Sequence, residues 1–165
     1  MLTTQIGECL TTLFSELTEG AKTPGGAYIL NSGDAGLLQS LDNLSAADAS
    51  HGLDGGATIA AHAQHVRYGL SLMNRWVTEG GNPFADAKWD EAWKTGRVDD
   101  GEWAEIRGGL RDEARRWQQT LGVPREIGRT QLTGMIGSIA HLAYHLGAVR
   151  QIAAAARGPR EGTFS

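Results

Sequence analysis

Cysteine and proline are scarce in this 165-residue chain, with one and four copies. No apolar run reaches the roughly eighteen residues that mark a membrane-spanning helix. The lone Cys9 excludes an internal disulfide framework and a paired-cysteine zinc or redox motif. It lies in IGECLTTLF and is expected to be a small buried residue. An excess of positive charge is missing too: 15 basic against 19 acidic residues give a net charge of −4. That excludes the basic footprint of a nucleic-acid binder and the polybasic patch of a membrane-surface protein. The N-terminal MLTTQIGECL has neither a basic start nor a clean apolar run, so no secretory signal is expected and the cytoplasm is the expected compartment. No stretch alternates apolar and polar residues as a half-buried strand would.

What the chain has is helical periodicity. Leu2, Ile6, Leu10, Leu13 and Leu17 recur at spacings of three and four and predict a first helix ending near Glu19-Gly20. A second long helix is expected from Ala57 or Thr58 to about Glu79, with Ile59, Ala63, Val66, Leu70, Met73 and Val77 as its stripe. A third runs from an Asp99 or Asp100 cap to about Thr120, with Trp103, Ile106, Leu110, Ala114, Trp117 and Leu121 inward and its many charges solvated. A fourth covers about Thr130–Ala156, with Leu132, Ile136, Ile139, Leu142, Leu146 and Val149 as its stripe. Many of the 23 glycines fall in turn-forming clusters within the connections. Short helices are expected at Leu37–Ala49 and at Ala85–Lys94, the latter carrying Trp89 and Trp93 as cover for the bundle. Tyr28, Ile29 and Leu30 argue that the long first connection packs on the core. The length fits one domain: an all-α four-helix bundle over 1–158, followed by a flexible tail at 159–165.

Four of the five histidines form two helix-spaced pairs, His62 with His65 and His141 with His145. Residues four apart on a helix lie one above the other on one face, so His141 and His145 can share one ion but cannot complete a tetrahedral shell. The other pair is the donor at hand: His141 and His145 with His65 supply three nitrogens and leave a position open for water or substrate. Such a set suits zinc, nickel, iron or copper; zinc and nickel head that group, with iron behind them. His62 can be a fourth ligand, an orienter of a ligand, a proton shuttle serving catalysis, or a packed core residue. His51, in a glycine-rich loop, is expected on the surface. The HLAYH run lacks the glutamate of an HExxH protease, and the carboxylate-rich Glu-x-x-His pattern of a di-iron bundle is missing. Arg67 and Arg150 are expected on the surface, and Tyr144 points away from its neighbouring histidines on an ideal helix.

The segments GGATIAAHAQHVRYGLSLMNRW and IGSIAHLAYHLGAVRQI resemble the second- and fourth-helix signatures of the DinB/YfiT-like superfamily. The resemblance extends from the first helix to Gly158. It implies a four-helix bundle of up-down-down-up path, in which the long Gly80–Val98 connection joins helices running the same way. It also implies a divalent metal held by His65, which is followed by an aliphatic residue as in the family, and by His141 and His145. His62 is an addition to the family pattern. Family members of known activity include metal-dependent transferases and isomerases that use low-molecular-weight thiols such as bacillithiol or mycothiol.

Two functions follow as expectations. One is a metal-dependent enzyme acting on a small-molecule substrate, by transfer of a low-molecular-weight thiol to an electrophile or by hydrolysis, with His62 as a candidate catalytic group. The other is a non-catalytic metal-binding or stress-response bundle with a closed metal shell, acting through partner contacts. A homodimer is expected from the resemblance.

Overall fold

The computed structural model describes residues 4–21, 27–153 and 156, and its elements are all helices. In order they are α1 (Thr4–Glu19), α2 (Leu37–Asp42), α3 (Ala46–Ala49), α4 (Ile59–Glu79), α5 (Trp89–Trp93), α6 (Asp100–Gly122) and α7 (Arg129–Ile152). The long helices α1, α4, α6 and α7 form a bundle, and the short ones belong to the connections. The expected tail at 159–165 lies outside the described residues.

Local chemistry fixes the helix starts. The Thr58 hydroxyl accepts the Ala61 N–H at 3.1 Å and donates to the Thr95 carbonyl at 2.9 Å, capping α4 and tying it to the connection beyond α5. Asp99 and Glu102 make a reciprocal capping box at α6, with bonds of 2.8 and 2.9 Å. Gly20 ends α1 at φ +102°, where a side chain would also strike the Asp34 carbonyl.

Cross-helix contacts set the directions. Arg67 meets Glu105 and Asn74 meets Glu113, so α4 and α6 run parallel. His62 faces His145 while Trp76 lies over Gly134, so α7 runs antiparallel to α4. Gly7 packs on the Leu121 carbonyl, so α1 runs antiparallel to α6. Each of α1 and α4 packs on both α6 and α7. The core between them holds Leu10, Phe14, Leu17, Leu70, Leu110, Leu121, Leu142 and Leu146. Two tryptophans are fully enclosed and keep their N–H groups satisfied: Trp103 donates to the Leu44 carbonyl and Trp117 to the Ser138 hydroxyl, both at 2.9 Å.

Several sequence expectations need correction. Cys9 is exposed, because the inward stripe of α1 runs through Gly7, Leu10, Phe14 and Leu17 and leaves Ile6 outside. In α7 the buried residue is Met135, and Ile136 is 54 % exposed. That helix is apolar on most sides, so its composition does not mark the inner face. The segment expected as one helix at Leu37–Ala49 is two, broken where Ser45 caps α3. α7 ends at Ile152, four residues short of the expectation. Arg150 is half-buried, donating to Asp34 at 3.3 Å and to the Ala35 carbonyl at 2.9 Å.

The first connection is anchored differently from the expectation. Tyr28 and Ile29 are exposed, and only Leu30 packs on the core. The backbone N–H groups of Tyr28, Ile29 and Leu30 instead donate to the buried Glu16 carboxylate at 2.6–3.1 Å. Removing that acceptor takes a charged partner from three part-buried donors, and a hydrogen bond to a charged group contributes about 1.5–3 kcal/mol. Glu16→Ala is therefore expected to lower the unfolding free energy by about 2–4 kcal/mol in urea titrations, with Glu16→Gln losing less because one acceptor oxygen remains. An unchanged midpoint in Glu16→Ala would show that the carboxylate does not anchor this connection.

Candidate metal centre

Antiparallel packing of α4 on α7 brings the two histidine pairs to one level. His62 and His65 are three apart on α4, and His141 and His145 are four apart on α7. His62 meets His145, with Nδ1 to Nδ1 at 2.9 Å. His65 meets His141, with Nε2 to Nε2 at 3.2 Å. His141 and His145 close the set with Nε2 to Nε2 at 3.0 Å. One ligand atom from each of His65, His141 and His145 lies within 4.8 Å of the other two, close enough to hold a metal ion. His62, His65 and His145 are buried, and His141 is half-buried.

The connection after α4 supplies the cover. Trp93 stacks on His65 with ring centres 4.2 Å apart and meets His62 edge-on at 5.3 Å. Trp89 lies beside His65 at 5.4 Å and is braced by Tyr68, whose hydroxyl accepts the Lys88 N–H. The expectation that these tryptophans cover the bundle thus resolves into cover for the histidines. Tyr144 is 68 % exposed, yet its ring meets His145 edge-on at 5.1 Å. His51 is exposed, bonded to the Ala47 carbonyl, and takes no part.

Burial, with mutual repulsion as the second cause, holds His65 down to about 4 and His145 to about 3. Burial also lowers His62 and His141. The rings are thus neutral near pH 7, the state in which imidazole ligates a metal.

The donor chemistry fits a cation. A neutral imidazole carries one N–H, so a proton on Nε2 of His141 can serve only one of its two close Nε2 neighbours. A divalent ion accepts all three lone pairs together. The His62–His145 contact bears on the same point. When His145 donates from Nδ1 to Nδ1 of His62, its Nε2 lone pair is left free for the centre. Among the described residues His65 has no such support, and its buried Nδ1 finds no hydrogen-bond partner there.

Two features of the site carried no clear sequence signal. The tryptophans sit in a segment whose path over the site is set by the parallel α4–α6 arrangement, a long-range property. Gly69 and Gly137, beside His141, read as ordinary helix positions. Comparisons with protein-family models, curated proteins and solved structures found no match to this chain.

The lowered histidines fix the sign of a pH effect. Below about 6.5 the unfolded chain binds protons that folded His65 and His145 refuse until about 4 and 3. The contribution of these histidines is whole above pH 6.5 and falls with acidification through that window. Metal-free protein in chelator should show a falling urea midpoint between pH 7.5 and 5.5, and His145→Leu should flatten the fall. A flat wild-type profile there would mean that the four rings are not held neutral.

Proposed function

We propose that this chain is a DinB-like, divalent-metal-dependent enzyme that transfers a low-molecular-weight thiol to a small electrophile. His65, His141 and His145 would be the ligands, with zinc or nickel as the expected ion. The observation that carries the reading is the convergence of exactly these three donor atoms while His62 is turned onto the far nitrogen of His145. A three-histidine set leaves a coordination position for a reactant. The parallel run of α4 and α6, the long connection between them and the two signature segments support the family reading.

When bound, such an ion would lower the pKa of a thiol or a water and polarise an electrophile. The chain's own residues do the rest. His62 holds His145 in the tautomer with Nε2 free, as a positioning residue. Trp93 closes one side of His65 and restricts water there. The half-buried edge of His141 is the side open to a reactant.

The second reading, a non-catalytic bundle working through a dimer or a partner, draws on the exposed Ile136 and Tyr144 of α7. It requires a closed shell with His62 as fourth ligand, and the Nδ1–Nδ1 contact of His62 with His145 disfavours that.

Metal content by plasma mass spectrometry, on protein purified without a His tag, tests the ligand set. Stoichiometric metal is expected in the wild type and none in His65→Ala or in His141→Ala/His145→Ala. His62→Ala should keep the site but bind about 10–100-fold more weakly. Metal retained by His65→Ala, or lost outright from His62→Ala, would overturn the assignment. Transfer of a thiol such as bacillithiol or mycothiol to 1-chloro-2,4-dinitrobenzene, assayed on the loaded wild type, tests the reaction.

A further inference from the structure

A cavity of about 250 Å³ lies beside the histidines, between α4, α7 and the connection that carries Phe84 and Trp89. Its walls include Val66, Met73, Phe84, Trp89, Leu142 and one side of His141, and among the described residues no charged side chain lines it. Besides the ring nitrogens of His141 and Trp89, it is bordered by the hydroxyl of Ser138. That hydroxyl is already engaged, accepting from Trp117 at 2.9 Å and donating to the Met135 carbonyl at 2.7 Å.

Three helix-interior glycines border the space: Gly69, Gly134 and Gly137. A glycine there costs a helix up to about 1 kcal/mol relative to alanine, so each calls for a reason. Packing supplies one at Gly134, where a Cβ would sit 2.7 Å from the Trp76 ring. At Gly69 a Cβ would meet only ordinary contacts, Trp89 at 3.8 Å and the Cε1 of His141 at 3.9 Å. At Gly137 it would meet nothing within 4 Å. Close packing therefore does not demand glycine at these two positions, and a side chain at Gly69 or at the exposed Gly137 would narrow the space or its mouth. The Gly69 contact also locates the cavity relative to the centre, because Cε1 is bonded directly to Nε2.

We propose that this cavity is the substrate-binding subsite for an uncharged, apolar ring, an aryl or similarly compact hydrocarbon group, whose reactive end meets the metal centre at His141. The assignment rests on the metal-enzyme reading above. Its chemistry follows from the walls. Trp89, Phe84 and the imidazole offer ring faces and edges, and Met73 adapts to an aromatic partner. A cavity of about 150 Å³ with apolar walls takes up benzene, so this one has room for a larger ring. Away from the metal centre and the ring N–H groups of His141 and Trp89, the walls offer a carboxylate or sulfonate little to replace the water it would lose. The larger groove between α4 and α6 differs in kind: it is lined by Arg75, Glu79, Glu113 and Arg116, whose charges pair with one another, and it lies away from the histidines.

The test is calorimetric titration of the zinc-loaded protein with 1-naphthol and with 1-naphthalenesulfonate. The wild type should bind 1-naphthol one to one and the sulfonate at least about tenfold more weakly. Gly137→Leu should weaken 1-naphthol by about tenfold or more, and Gly69→Ala by about threefold or more. Gly69→Ala should keep or raise the melting temperature, because its Cβ meets only ordinary contacts, and Gly137→Leu should stay folded, because its Cβ starts in open space at an exposed position. Metal-free wild type, prepared in chelator, should still bind 1-naphthol and still prefer it to the sulfonate, because the walls and not an ion hold the ring. No 1-naphthol binding by folded wild type, or unchanged affinity in Gly137→Leu, would overturn the proposal and leave the cavity a packing gap. Metal retained by His65→Ala would instead count against the ligand assignment while leaving the subsite standing.

Discussion

Four neutral imidazoles meet at one level of the α4–α7 interface, and the rest of the site is arranged around the cost of keeping them there. Burial first, and their own repulsion second, hold His65 and His145 far below the usual histidine range. Such a cluster tolerates very little proton, because charging any one ring places it against the others in a poorly solvated space. Nitrogens of His65, His141 and His145 nevertheless lie close enough together to hold a divalent ion. The same burial that excludes the proton thus prepares the donors for a metal. His62 adjoins this set, its Nδ1 lying 2.9 Å from Nδ1 of His145.

The bundle's path explains why the cover belongs to the site. Helices α4 and α6 run the same way, so the chain leaving α4 must travel back along the bundle before α6 can begin. It makes that return across the open side of the α4–α7 pair, and Phe84, Trp89 and Trp93 are set down on the way. A direct antiparallel hairpin between α4 and α6 would leave no such segment, and the histidines would face solvent on that side.

Much of this could be read from residue spacing. The four long helices, the Asp99 and Thr58 starts and the core roles of Trp103 and Trp117 follow from periodicity and cap chemistry, which are local. The two histidine pairs follow from helical spacing, and their meeting needed only that α4 and α7 be neighbours. Where the signal was ambiguous, the sequence misled. In α1, Ile6 looks like a core residue, but Gly7 takes the inward place because the backbone of α6 approaches too closely for a larger one. In α7, apolar residues surround the helix, so Met135 and Ile136 could not be told apart by type. The buried Glu16 was invisible, because a carboxylate that serves three backbone N–H groups looks like any surface glutamate until the connection folds over it. The partnership of Arg150 with Asp34 spans most of the chain and leaves no local trace.

The cap of α4 has a mechanical side. The hydroxyl of Thr58 faces two ways, holding the first turn of the helix that carries His62 and His65 and gripping the Thr95 carbonyl just past Trp93. The strap and the helix it covers are therefore stitched at one atom. Lifting the strap takes away that hydroxyl's acceptors at Thr95 and Gly96, and fraying of the first turn takes away the Ala61 N–H. Opening of the cover and loosening of the ligand helix belong to one cooperative unit, so access to the histidines and the rigidity of their support rise and fall together.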